Sequence, residues 1–553
     1  MNRRTFLKGR SLPESTNPIS TFTIETVSLS PYSGEWTDEQ RKHLLRRTLI
    51  GFSPEHFNQV KNLSLEQILE ILLSKQALPP KPLAYLNTGS VTAGSEWTSA
   101  TYDANQENVR IAFLLSWQIE SLLHQPIRIH DKMVLFWQNH FATGANAVKD
   151  ARLMHKQFEL LFENATGNVK DLVYSIVFDP SMLRYLNGNS NTKIQPNENF
   201  ARELQELFTI GKGPEISPGN YTNYTEEDIN QAARILTGWY DDQSTMQTKF
   251  RSNNHDFGIK KFSSAYGNRT ISSSATNEQG ARQEVQDLIH MIFDQEATSL
   301  FIIKKLYRYF VDYVIDAEIE SNIIKPLAKL FRDSSFDIIP VLRVLFSSEH
   351  FYSTSLLGCA IKTPIELVLG TCTLFKPALI FPSDSKEIHW AYRTLRRIMA
   401  QMGQDIMNPP NVAGLPAYYQ EPAYHELWIN ADTLQKRIKF IGDLSLDHLQ
   451  LDEMAYGKGA LIDVFSILEW ADDPSDPVQV VEAWCHHMFA LKISKETQYT
   501  LKKFLTGGLE DFVWTNEWLD WNDNPTDTKK AALESKLRTL LKHMLSMAEY
   551  QLN

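Results

Sequence analysis

Apolar residues recur at three- and four-residue spacing along most of this chain, and a chain so patterned buries them as amphipathic helices packed on one another. The segment PNENFARELQELFTIG, residues 196–211, shows the pattern at its sharpest. Asn197 can cap its amino end, Glu198 suits the positive end of the helix dipole, and Gly211 supplies a left-handed stop. Phe200, Leu204, Leu207 and Phe208 share one apolar stripe; Glu198, Asn199, Arg202 and Glu206 face away, and Glu203 lies on the border. Thr37-x-x-Gln40 and Ser64-x-x-Gln67 read as capping boxes opening two earlier helices. Further helices are expected over 106–123, 130–142, 148–164, 280–294, 297–314, 322–332, 364–375, 386–402, 428–440, 476–491 and 528–550. The predicted class is mainly α, a large multi-helix bundle with long ordered loops. Residues 247–263, TKFRSNNHDFGIKKFSS, alternate loosely and predict a small β-hairpin insertion or an ordered loop.

Length favours more than one subdomain. Residues 1–35 read as an N-terminal arm, 36–450 as the main helical domain, and 451–553 as a C-terminal helical subdomain packed on it. Segments rich in turn formers at 79–104, 212–224 and 240–280 are expected loops, the places where sites often lie. The net charge of −11, with no Lys/Arg run beyond the first ten residues, gives nucleic acid or anionic lipid no electrostatic footing. Cys359, Cys372 and Cys485 are too few and too far apart for a disulfide framework or a thiolate zinc site. No run approaches the roughly 18 apolar residues of a membrane span. The start MNRRTFLK has the form of a twin-arginine export motif, but no apolar core of about 7 to 15 residues follows it. Export to the periplasm and retention in the cytoplasm are therefore both open.

The polar candidates come from helices and loops. His140, in FWQNHF, shares a helix face with Met133, Phe136, Trp137 and Phe141, so it is expected to be buried, bonding either a backbone carbonyl or a ligand. Glu203 can point into a crevice, whereas Arg202, four residues from both Glu198 and Glu206, suits a surface ion-pair ladder. Thr225 and Asp228 form a capping-box pattern, and Gly238 a stop. His255 and Asp256 lie in a polar loop near Gly258 and Lys260, where a base or a ligand with an orienting carboxylate could sit. DWNDNP, residues 520–525, lacks both the turn glycine and the closing glutamate of a calcium loop. There is no G-x-S-x-G, Walker loop, H-E-x-x-H or dinucleotide fingerprint.

Six segments taken in order, HLLRRTLIGFS, KMVLFWQNHF, the helix at 196–211, YTEEDINQAARILTGW, HDFGIKKF and MGQDIMNPPNVAG, resemble the bacterial family of domain of unknown function 1800, from about Trp36 to the closing EYQL. The resemblance carries that family's recurring polar positions to His43, Arg46, Arg47, His140, Asn197, Glu198, Asn199, Arg202, Glu203, His255, Asp256, Lys260, Gln404 and Asn411. It also implies a twin-arginine start and a neighbouring partner from domain of unknown function 1501, which resembles phosphatases and sulfatases. Two positions depart from the pattern: Phe208 stands where ELHTLG has histidine, and Leu415 where PPNVAGW has tryptophan.

These observations lead to two expectations. In the first, His140, Glu203, His255 and Asp256 form a catalytic site holding one divalent metal ion, with Asn199, Arg202, Lys260, Gln404 and Asn411 binding an exported, polymer-derived substrate that is hydrolysed. In the second, the chain is a non-catalytic partner of a phosphatase- or sulfatase-like subunit, docked through Trp514, Trp518 and Trp521 or packing them internally.

Overall fold

The computed structural model describes residues 27–377, 385–451 and 459–553; the twin-arginine start lies outside them. Helices α1 (Asp38–Thr48), α2 (Pro54–Val60), α3 (Leu65–Leu73), α4 (Glu107–Leu123) and α5 (His130–His140) come first. They are followed by α6 (Ala145–Val148), α7 (Ala151–Glu163), α8 (Val169–Val177), α9 (Pro180–Tyr185), α10 (Glu198–Glu206) and α11 (Glu226–Ile235). Next are α12 (Glu278–Phe293), α13 (Glu296–Phe310), α14 (Ala317–Ile319), α15 (Lys325–Asp333), α16 (Ile339–Phe346), α17 (Pro364–Phe375) and α18 (Ser385–Gln401). The chain closes with α19 (Ala431–Gly442), α20 (Pro477–Met488), α21 (Lys495–Thr506), α22 (Phe512–Asp523) and α23 (Asp527–Ser546). The fold is mainly α, and the expected helices fall within a few residues of their places. Helices α2, α6, α8, α9, α14, α16, α21 and α22 are additions that the apolar pattern did not single out.

Local chemistry starts the helices. Ser64 and Gln67 complete a capping box at α3, and Thr225 and Asp228 another at α11, whereas Thr37 caps α1 by accepting from the Glu39 amide. Asn197 caps α10 through the Asn199 amide, but the regular helix ends at Glu206 rather than reaching Gly211. A tight turn follows in which the Ile210 and Gly211 amides both donate to the Gln205 carbonyl, with Gly211 at φ +71°. A Cβ at that position would sit 2.7 Å from the Phe301 ring.

The hairpin is shifted from its expected place. Strand β3 (Trp239–Asp242) pairs antiparallel with β4 (Gln247–Phe250), after the short ribbon β1 (Glu215–Ser217) and β2 (Asn220–Tyr221). The HDFGIKK loop then leads into β5 (Lys260–Lys261), paired with β6 (Thr270–Ile271), and a last ribbon joins β7 (Leu449–Gln450) to β8 (Gly459–Ala460). Helix α10 lies along α11, α4 against α17 and α18, α5 against α7, and α21 against α23. One contiguous apolar core runs through these elements from Leu44 to Tyr550. Among the described residues no helix is long and apolar enough to cross a membrane.

Candidate functional site

His140 ends α5 buried, with both ring nitrogens in use. Nε2 donates to the Phe208 carbonyl at 2.9 Å, which leaves Nδ1 to accept from Lys305 Nζ at 3.2 Å. Lys305 also donates to the Leu207 carbonyl at 2.9 Å, so both side chains satisfy the carboxyl end of α10. Burial, and then the Lys305 charge, hold this imidazole well below its ordinary value, and burial with Arg308 nearby lowers Lys305 to about 7. His140 is a neutral helix cap.

His255 is buried too. Nδ1 faces the Thr237 carbonyl at 2.8 Å and Nε2 faces Glu284 Oε2 at 3.2 Å; Lys260 donates to that same carboxylate oxygen. All three side chains are fully enclosed. Asp256 is clamped by Arg234, Nε to Oδ2 at 2.7 Å and Nη2 to Oδ1 at 3.3 Å, and accepts the Gly258 amide at 2.8 Å. Burial pushes its carboxyl up, but those bonds outweigh it and the net shift is downward. The HDFGIKK loop is thus stitched to α11 and α12.

The other expected residues are likewise occupied. Arg202 pairs with Glu198 and, through two bonds, with Glu226; Glu206 instead meets Lys212 at 2.6 Å and the Tyr224 hydroxyl at 3.0 Å, so the ladder runs between helices. Exposed Asn199 donates to the Leu186 carbonyl, buried Gln404 accepts the Ile365 amide, and exposed Asn411 holds its own loop through the Ala413 amide. Of these side chains only the half-buried Glu203 carboxylate has no hydrogen-bond partner among the described residues, although its backbone carbonyl accepts the Leu207 and Phe208 amides. His140 and His255 share no partner, and no group of three or more His, Cys, Asp or Glu that could hold a metal ion occurs among the described residues. The expected set of His140, Glu203, His255 and Asp256 is corrected on this point: its imidazole nitrogens and the Asp256 oxygens are already spent, so these residues do not fit a divalent ion.

A different constellation lines a narrow cleft of about 40 Å³, room for a few waters or the tip of a larger ligand. At its floor Lys132 of α5 meets Glu366 of α17 at 2.5 Å, and Arg47 of α1 donates to the carbonyls of Phe310 and Val311 that end α13. Arg308 lines the same cleft with its guanidinium 4.7 Å from the Tyr424 ring centre and its Nε 3.4 Å from the Tyr313 carbonyl; no carboxylate pairs with it among the described residues. Asp312 accepts the Tyr313 amide at 2.7 Å, and burial raises its carboxyl. His425 packs on the Tyr313 ring, centroids 4.4 Å apart, and its nitrogens have no hydrogen-bond partner among the described residues. Burial first, and the Arg47 charge second, lower it to about 4, so it is neutral at pH 7.

The sequence matches the family described as "Protein of unknown function (DUF1800)" over residues 43–552. The chain belongs to the DUF1800 family. No curated protein and no solved structure matches it. In this DUF1800 protein the cleft is where three of the six recognised segments meet: Arg47 comes from HLLRRTLIGFS, Lys132 from KMVLFWQNHF and Gln404 from MGQDIMNPPNVAG. Arg308, Asp312 and His425 lie outside all six, and no local pattern marked them. Their spacing disguised them: Arg308 and Asp312 stand four residues apart in RYFVDY, as an ordinary helix ion pair would, and His425 sits among aromatic residues in AYHELW. At the two departing positions, Phe208 is fully buried against Phe141, and Leu415 packs with Ala417 and Trp428.

Proposed function

We propose that this DUF1800 protein is a hydrolase-like enzyme that acts at the Arg308–Asp312–His425 cleft on a substrate bearing an anionic group. This keeps the histidine-and-carboxylate chemistry expected from the sequence and moves it to other residues. The observation that carries it is one cleft that brings together a cation and a neutral imidazole, neither of them with a counter-ion or an acceptor on its nitrogens among the described residues save the Tyr313 carbonyl near Arg308, and a carboxyl shifted toward its protonated form. Arg308 anchors the anion. His425 takes the proton from the attacking water, and Asp312 returns one to the leaving group. An anion bound here offsets the Arg47 field, which raises the His425 pKa and makes it a stronger base once substrate is in place.

The test is turnover of chromogenic carboxylate, phosphate and sulfate esters by the purified protein. His425→Ala is expected to lower kcat by about 10²–10⁴-fold, and Arg308→Ala to act mainly on KM, both with unchanged circular dichroism. The acid limb of kcat/KM should fall near pH 4, with that of kcat displaced upward. Full turnover by His425→Ala, or no hydrolysis of any ester class, defeats the reading.

A second reading, a non-catalytic partner of a phosphatase- or sulfatase-like subunit of domain of unknown function 1501, is favoured by exposed Leu509, Phe512 and Leu519 at α22. The tryptophans are not that anchor: Trp514 is buried with its Nε1 donating to the Pro474 carbonyl, and Trp518 and Trp521 pack on each other. Failure of the two purified proteins to associate at micromolar concentration counts against this alternative.

A further inference from the structure

Successive residues of α1 serve two different clefts: Arg47 lines the one above, and Arg46 lines a second of about 450 Å³, closed by the loop between α20 and α21. Its charged wall is Lys42 and Arg46. Lys42 is 2 % exposed, with Nζ 3.0 Å from the His486 carbonyl and 4.9 Å from the Phe57 ring centre. Arg46 Nη2 donates to the Phe489 carbonyl at 2.7 Å, and its guanidinium lies 5.6 Å from the Phe52 ring centre. Neither cation has a carboxylate within ion-pair distance among the described residues. A carbonyl accepts a hydrogen bond but cancels no charge, so two desolvated positive groups stand side by side; burial and then Arg46 lower Lys42 to about 7. The apolar part of the lining comes from Phe489, Leu491 and Ile493. The acids at the cleft are Asp38, paired with Arg41, Glu482, paired with Lys495, and Glu39.

We propose that this cleft binds an amphipathic monocarboxylate, its head between Lys42 and Arg46 and its hydrocarbon body along Phe489, Leu491 and Ile493. The volume is within the roughly 300–1,000 Å³ usual for small-molecule sites. A charge-assisted bond to each cation supplies the missing counter-charge. The nearby Asp38, Glu39 and Glu482 repel a polyanion, and the apolar lining gives a bare inorganic ion nothing to bury against. The site is independent of the Arg308–Asp312–His425 cleft and stands whether or not that cleft is catalytic.

The experiment is calorimetric titration of the full-length protein with octanoate, and with inorganic phosphate in parallel. Saturable one-to-one octanoate binding is expected, at least tenfold tighter than phosphate and weakened at least tenfold by Lys42→Met or Arg46→Met. Because both side chains also cap α20, Ala490→Trp is the second variant: it fills the cleft without touching either cation and should abolish binding with the thermal transition unchanged. No octanoate binding, phosphate binding as tightly, or octanoate binding that survives Ala490→Trp overturns the proposal.

Discussion

The Glu203 carboxyl on α10 lies half-buried near Glu206 and the Tyr185 hydroxyl, and burial first, then the Glu206 charge, push it up to about 7. A carboxyl whose folded pKa lies above its unfolded value near 4.5 binds its proton more tightly when folded. Its charging therefore costs nothing below pH 4.5 and destabilises the fold increasingly as pH rises through 7. Glu203→Gln should match the parent near pH 4 and be the more stable at pH 8, by less than about 1 kcal/mol because solvent screens a group this exposed. Urea midpoints at the two pH values check this, and equal midpoints at pH 8 would sink it. The border position of Glu203 was legible from spacing alone. The fate of His140 was not: the sequence placed it on an apolar face, but the carbonyl that claims it belongs to Phe208, 68 residues away.

Between elements, the recurring device is a buried or half-buried side chain that serves the carboxyl end of a helix it does not belong to. His140 and Lys305 serve α10, Arg47 serves α13, Lys132 donates to the Arg46 and Leu49 carbonyls at the end of α1, and Lys42 and Arg46 serve α20. Each supplies donors to carbonyls that a helix leaves unpaired, and a positive group there also opposes the dipole. Amino-terminal caps are different, since the capping side chain lies within three residues of the amide it meets and can be read directly. Asp228 joins the two cases: it closes the α11 capping box and also accepts the Ser263 amide at 2.7 Å and hydroxyl at 2.6 Å, 35 residues on. Asp228→Ala is expected to cost about 3 kcal/mol, more than a cap alone, because two charge-assisted bonds go with it. Amide exchange should rise at Ser263 and across β5 and β6 as well as at the start of α11. Fraying confined to α11 would show that the second role is idle.

At the scale of the whole molecule, the Lys132–Glu366 pair joins α5 to α17 across 234 positions, with side chains only 6 % and 10 % exposed. Removing one partner strands a buried charge: Lys132→Met alone should cost about 3–5 kcal/mol, whereas Lys132→Met with Glu366→Leu should recover most of it. A double-mutant cycle in denaturant measures this, and additive losses would refute a coupled pair. The amino-acid sequence by itself determined the mainly α class, the positions of most helices, their amino-terminal caps and the family, because apolar periodicity and capping act over three or four residues. It left unread α2, α6, α8, α9, α14, α16, α21 and α22, and placed the hairpin too late, where burial against distant partners overrode weak local signals. Only the tertiary structure decided which ionisable groups are spent on architecture and which stay open. Arg47 finds its carbonyl 263 positions away, and His425 reaches the cleft of Arg308 and Asp312 from a segment more than a hundred positions on. A charge or a hydrogen bond acts through space, so its partner is fixed by how helices pack and not by their order along the chain.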